Sequence, residues 1–112
     1  MALDVTQETF GAEVESSPGI VLVDFWGPAC APCLALMPYV EELAGKYETR
    51  LKIVKVDASK NRRLCIDLKV MGLPTFLLYR DGRETGRLSG KEVNQEELGK
   101  FVAGYLEAAL EL

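Results

Sequence analysis

The 112-residue chain contains no histidine, and this absence excludes several common kinds of active site. Ser–His and Cys–His nucleophilic pairs need an imidazole base, and histidine is also the commonest metal ligand. Cysteine is scarce too. The chain has three cysteines, an odd and small number that does not suggest the disulfide framework of a small secreted protein. In a reducing compartment, a closely spaced cysteine pair is more typical of redox chemistry or metal binding.

Long apolar runs and strongly basic clusters are also missing. No apolar run approaches the roughly 20 residues of a membrane-spanning helix, and the N-terminal segment lacks the basic start and apolar stretch of a signal peptide. The net charge is −4 and the largest basic cluster is Arg62-Arg63, which argues against nucleic-acid binding. We therefore expect a single cytoplasmic domain, residues 1–112, with no nucleic-acid or membrane partner.

The most informative stretch joins a strand to a helix. It begins with the aliphatic run Ile20–Val23, which is typical of a strand buried on both faces. It ends in Cys30-Ala-Pro-Cys33, and the apolar residues that follow recur at helical spacing: Leu36, Val40, Leu43, Ala44 and Tyr47. Two thiols thus lie where a helix begins, and the free N–H groups and positive dipole end there favour a thiolate.

The first half of the chain otherwise predicts two more strands and a helix. A strand near Leu3–Val5 precedes a helix over about Gln7–Val14, with Phe10 and Val14 facing inward. Residues Leu51–Asp57 alternate as a further strand. Because a helix separates this strand from the first buried one, the two should be parallel neighbours.

The second half predicts a short helix and a hairpin. The helix is capped by Ser59 or Asn61. Phe76–Tyr79 forms a strand, and Asp81-Gly82 is a strong hairpin signal that joins it to an antiparallel strand, Arg83–Leu88.

A last helix begins near Asn94 and Glu97, a pair that resembles a capping box. Whether Leu106–Leu112 extends this helix or frays stays open. The inward face is expected to carry Leu98, Phe101, Val102, Tyr105, Leu106 and Ala109. The order β-α-β-α-β-α-β-β-α predicts an α/β fold, with a central mixed sheet of about five strands and about four helices on its two faces.

Over essentially its whole length the sequence resembles thioredoxin. The resemblance rests on Val23-Asp-Phe-Trp26, Cys30-x-Pro-Cys33, Pro38, Lys55-Val-Asp57, Gly72-Leu-Pro-Thr75, Asp81-Gly82 and Gly90. Each motif is weak alone, but their joint order and spacing indicate the thioredoxin fold.

The resemblance implies a protein-disulfide reductase in which Cys30 is the nucleophile and Cys33 the buried resolving thiol. Asp24 would be the buried carboxylate that exchanges protons with Cys33, and its apolar surroundings should raise its pKa. A plain polar residue at a strand end is the alternative for Asp24. Lys55 would be its electrostatic partner, or simply an exposed strand lysine.

The resemblance also implies a surface for client proteins. Pro74 would be cis, and the backbone around Leu73 would pair with an extended client segment. The residues that shape the rest of this surface would be Trp26, Ala29, Ala31, Pro32 and Gly90. Three positions depart from the family pattern: Ala29 replaces a tryptophan, Ala31 a glycine and Leu34 a lysine. The implied partners are disulfide-containing clients and a flavin-dependent reductase or equivalent electron donor, with no cofactor or metal.

The sequence also allows other functions for the cysteine pair and the surface around it. The cysteine pair could be inert core thiols, or two ligands of a zinc or iron–sulfur site shared by a dimer, because Cys65 lies on a different predicted helix. The altered rim at Ala29 and Leu34 would also suit a binding or chaperone module, and the same fold could serve as a disulfide oxidase or isomerase. Four other residues are interpreted as packing residues: Met37, Cys65, Met71 and Tyr79. The alternative for Cys65 is a regulatory or partner-linked thiol.

Overall fold

The computed structural model describes residues 1–110 and contains a five-stranded mixed sheet. The strands are β1 (Leu3–Asp4), β2 (Ile20–Trp26), β3 (Leu51–Asp57), β4 (Thr75–Arg80) and β5 (Arg83–Ser89). Their spatial order is β1-β3-β2-β4-β5. β3 runs parallel to both β1 and β2, whereas β4 is antiparallel to β2 and to β5. The predicted α/β fold and mixed sheet are confirmed.

Three α-helices and a short π-type segment flank this sheet. The helices are α1 (Ala31–Lys46), α2 (Arg62–Asp67) and α3 (Gln95–Leu110), and the π-type segment is Gly11–Glu15. The sequence left open whether Leu106–Leu112 extends the last helix. The residues up to 110 are helical, and residues 111–112 lie outside the described part. Every helix within residues 1–110 is too short or too polar to cross a membrane.

The predicted helix over Gln7–Val14 forms later than the sequence suggests. The Thr6 N–H donates to Thr9 Oγ1 at 2.9 Å, and the Thr9 N–H donates to the Thr6 carbonyl at 3.0 Å. These local bonds hold a turn at the predicted start, and bonds to carbonyls four residues back follow it, with the Phe10 N–H donating to Thr6 and the Glu13 N–H to Thr9, both at 2.9 Å. The chain then winds loosely, and the Ser16 N–H reaches the Gly11 carbonyl five residues back at 2.8 Å.

The core lies on both faces of the sheet. On one face, which we call the α1/α3 face, the two long helices pack over Ile20, Leu22, Leu51, Ile53, Phe76 and Leu78. On the other, the α2 face, the π-type segment and α2 cover Val21, Val23, Phe25, Val54, Val56 and Leu77. Phe10 and Val14 are buried on the α2 face as predicted. Alternation along β2 therefore turns successive side chains toward different helices.

Turns and caps account for the remaining predictions. Asp81 and Gly82 both have positive φ, 50° and 85°, as the tight hairpin turn between β4 and β5 requires. The Glu97 N–H donates to Asn94 Oδ1 at 2.8 Å at the start of α3, as expected of a cap. The packing assignment of Met71 is wrong, because its side chain is 92% exposed.

The cap of α2 differs from both predicted forms. Ser59 lies in a preceding turn, where its N–H and hydroxyl both donate to Asp57 Oδ1. Asn61 occupies the capping position, but its side chain makes no capping bond to α2. Its Oδ1 instead accepts from the Gln7 N–H at 2.8 Å, and its Nδ2 donates to the Asp57 carbonyl at 2.9 Å. This buried amide thereby joins the N-terminal segment to the start of α2.

Candidate active site

Cys30 and Cys33 form a disulfide at the start of α1, with Cα atoms 5.3 Å apart. Cys30 occupies the N-cap position with extended backbone, and its Sγ accepts the Cys33 N–H at 3.2 Å. Pro32 lies in the first helical turn, where its missing N–H costs no helical bond. Cys30 is half-buried, whereas Cys33 is only 2% exposed. A foreign disulfide can therefore reach the first sulfur more easily than the second.

Asp24 is a buried carboxyl in β2, 2% exposed. Burial raises its pKa from 3.8 to about 7, against the opposing effect of the Lys55 charge. Strand alternation turns its side chain to the same side as Ile20 and Leu22, the face on which α1 packs. Because α1 also carries the buried Cys33, the acid and the buried thiol belong to the same side of the sheet.

Lys55 lies directly opposite Asp24 in the parallel pairing of β2 with β3. Its side chain is partly buried, and its Nζ lies 3.8 Å from Asp4 Oδ1 and 3.7 Å from Glu41 Oε2. The lysine is thus held between carboxylates of β1 and α1 rather than extended into solvent.

The Leu73-Pro74 peptide bond is cis, as the resemblance implied. Pro74 is buried, and its carbonyl accepts the Gly90 N–H at 3.0 Å. Leu73 approaches the segment before Cys30 so closely that a Cβ on Gly27 would lie 3.2 Å from Leu73 Cδ1. This contact is tighter than usual, and it places the cis-proline loop against the chain that leads into the cysteine pair.

A recess of about 560 Å³ opens beside Cys30. We call it the Cys30 recess, and its walls are Gly27, Pro28, Ala29, Cys30, Ala58, Ser59, Arg62 and Leu73. Ala29 is exposed and has no side chain beyond Cβ to occupy this space. The structure therefore brings Ala29 and Leu73 together with Cys30.

Other predicted surface residues do not line the recess. Ala31 and Pro32 belong to the first turn of α1. Trp26 lines a separate cavity of about 340 Å³ with Lys55, and its buried Nε1–H has no hydrogen-bond partner in the part of the chain that the structure describes. Gly90 lines a third cavity and connects to the site through its bond to Pro74.

Arg62 is a recess residue that the sequence analysis did not identify. The only signal was that Arg62-Arg63 is the largest basic cluster in an acidic chain. Its neighbours Ala58 and Ser59 were also missed as wall residues. Their position depends on how α2 and the turn before it pack against the loop that carries Ala29.

Cys65 lies on the α2 face, 8% exposed, where burial raises its pKa. The packing role predicted for this side chain is confirmed. Within residues 1–110, no group of three or more cysteine, aspartate or glutamate side chains is arranged to hold a metal ion.

Comparison with known proteins gives a consistent result across the chain. The Thioredoxin family model matches residues 1–104. A thioredoxin of Peptoclostridium acidaminophilum is 38% identical over 106 residues, which cover 95% of this chain and 96% of that protein. A thioredoxin of Acetoanaerobium sticklandii is 38% identical over 103 residues, covering 92% and 98% respectively. Thioredoxin 1 of Nostoc sp. is 37% identical over 89 residues, covering 80% and 83%.

Proposed function

This chain belongs to the thioredoxin family and is a thiol–disulfide oxidoreductase that reduces protein disulfides, and we propose that Cys30 and Cys33 perform the exchange. The observation that carries the proposal is the arrangement of the two sulfurs. One is reachable at the start of α1, and the other is buried behind it. Disulfide exchange needs an accessible thiolate and a second thiol within reach, and this pair supplies both.

The exchange proceeds in two displacements. The Cys30 thiolate attacks one sulfur of a client disulfide, so that a Cys30–client bond forms while the client bond breaks and the other client sulfur leaves as a thiolate. Cys33 then loses its proton and attacks Cys30 Sγ. The Cys30–Cys33 bond forms, the second client sulfur is released, and two electrons have passed from the pair to the client.

Asp24 is proposed to accept the Cys33 proton. A carboxyl with a pKa of about 7 is partly ionised at neutral pH, so it can take up and release a proton as the reaction requires. Lys55 is proposed as a positioning residue, because its charge opposes the effect of burial on Asp24. Its partners Asp4 and Glu41 hold it in place.

The client surface is proposed to surround Cys30. The Leu73 backbone and cis Pro74 would pair with an extended client segment, and the exposed or half-buried residues around them would contact client side chains: Trp26, Ala29, Ala31, Pro32 and Gly90. Leu34, 44% exposed, adds an apolar edge on α1.

Client proteins with disulfides and an electron-donating reductase are the partners that this family implies. We propose a flavin-dependent reductase as donor, a cytoplasmic location, and one domain spanning residues 1–112. The net charge of −4 does not favour nucleic acid as a further partner. The cysteine pair carries the electrons itself, so the reaction calls for neither metal nor cofactor.

Two variants test the proposal. Cys30→Ser should abolish reduction of a disulfide-containing protein, because the attacking sulfur is gone. Cys33→Ser should retain clients as mixed disulfides that dithiothreitol releases. Unchanged turnover by Cys30→Ser would refute the assignment, and client retention independent of Cys30 would favour the binding-module interpretation. Equilibration of the pair against glutathione would separate a reductant from an oxidase or isomerase by its potential.

A further inference from the structure

The Cys30 recess has one charged residue in its wall. Arg62 lines it together with Cys30, and the remaining wall is largely apolar, formed by residues such as Ala58 and Leu73. No aspartate or glutamate among residues 1–110 contributes to the lining. The recess thus offers apolar surface and a single cation within the space beside Cys30.

Arg62 has no acidic partner of its own within the described chain. The ion pairs among residues 1–110 involve Lys52, Lys55, Arg87 and Lys100, and no carboxylate there lies within ion-pairing distance of Arg62. Its side chain is exposed at the start of α2. Its donors are therefore available to a ligand, and a guanidinium binds a carboxylate through two parallel hydrogen bonds.

The positive charge of Arg62 is opposite in sign to the net charge of the protein. With a net charge of −4, the protein as a whole repels acidic segments. An acidic residue beside the client disulfide would also disfavour the developing negative charge on sulfur. A cation in the wall of the recess offsets both effects at the point where the client docks.

We propose that the Cys30 recess is a specificity site for an acidic client side chain that flanks the attacked cysteine, with Arg62 binding its carboxylate. The methylene groups of a glutamate would lie against the apolar wall in the space that Ala29 leaves open. The inference rests on the proposed attack by Cys30 and adds the class of client segment. Because Arg62 lies in the wall of the recess that also contains Cys30, any effect of its charge on every substrate must be separated from its effect on acidic ones.

Matched peptides make that separation. Each carries one cysteine linked to neutral 2-thiopyridine, flanked by either glutamate or glutamine, and release of thiopyridone reports the rate of attack by the reduced full-length protein. We expect the glutamate peptide to react about three- to fivefold faster than the glutamine peptide at low salt. This ratio should shrink as salt rises, because the Arg62 pair is partly exposed.

Variants assign the ratio to Arg62 and to the recess. Arg62→Gln should bring the ratio to one or below and Arg62→Glu should lower it further, whereas the matched control Arg63→Gln, at a residue that does not line the recess, should keep it above one. Ala29→Trp fills the space at constant charge and should also remove the preference.

Three results would each overturn the inference. The glutamate-to-glutamine rate ratio could be the same in wild type and Arg62→Gln, it could fall in Arg63→Gln as much as in Arg62→Gln, or it could be unchanged in Ala29→Trp. None of these results touches the proposed function, which fails only if Cys30→Ser still reacts with either peptide.

Discussion

Cys33 and Cys65 are both buried thiols, but they lie on helices that pack on opposite faces of the sheet. Cys33 belongs to α1, bonds to the Cys30 sulfur and shares its side of the sheet with Asp24. Cys65 belongs to α2, where apolar neighbours raise its pKa and no second sulfur is paired with it. Burial alone therefore does not give the two thiols the same surroundings. A partner sulfur and a buried carboxyl on the same side of the sheet distinguish Cys33 from Cys65.

The largest expected effect is the difference in activity between variants that lack one or the other of these thiols. Cys33→Ser should lower multiple-turnover reduction of a protein disulfide on the order of 100-fold or more, because the mixed disulfide can no longer be resolved within the molecule. Cys65→Ser should leave turnover nearly unchanged. Client reduction followed over many cycles measures both effects.

A double variant checks that Cys65 cannot substitute for Cys33. Cys33→Ser and Cys33→Ser/Cys65→Ser should accumulate the same amount of mixed disulfide on gels run without reductant. Less adduct in the single variant would mean that Cys65 resolves it, and the structural interpretation of Cys65 would then be wrong.

Asp24 also distinguishes the two faces of the sheet, because it places a buried carboxyl, whose ionised form is destabilised by burial, on the α1/α3 face. The folded state holds this proton with a pKa of about 7, against 3.8 for an ordinary carboxyl, so stability falls as pH rises through that interval and levels off above it. The full difference corresponds to at most about 4 kcal/mol. Asp24→Asn should therefore raise the free energy of unfolding at pH 8 by on the order of 2–4 kcal/mol and have little effect near pH 4.

Urea denaturation at several pH values measures this gain, with Asp67→Asn as an exposed control on α2. The control should show no such pH-dependent gain. If Asp24→Asn gave the same increment at pH 4 and pH 8, the gain could not come from a carboxylate that is costly only when ionised. Slower client release by the same variant would support the proposed proton transfer.

Local patterns predicted most of the sheet and the reactive pair. The aliphatic run of β2 and the alternation of β3 indicate buried strands, and the position of Asp24 within the apolar run is enough to predict its raised pKa. The late start of the first helical segment was not predicted, because Thr6 and Thr9 bond locally in a way that periodicity does not reveal.

Features that depend on distant parts of the chain were also missed. Arg62 lines the Cys30 recess only because α2 packs beside the Ala29 loop, and no local pattern carries that information. Asn61 similarly bonds to Gln7, 54 residues away. Both residues lie at the start of α2, so the sequence was least informative at the junction between the α2 face and the active site.

The smallest expected effect concerns that junction. Asn61→Ala leaves the Gln7 N–H and the Asp57 carbonyl without their buried partner, so the free energy of unfolding should fall by about 1–3 kcal/mol. Ser59→Ala removes only an exposed hydroxyl bond to Asp57 and should change it by less than about 0.5 kcal/mol. Urea denaturation compares the two variants, and faster amide exchange at Gln7 in Asn61→Ala alone would locate the loss. Equal losses would mean that the turn before α2, rather than the buried amide, holds this region together.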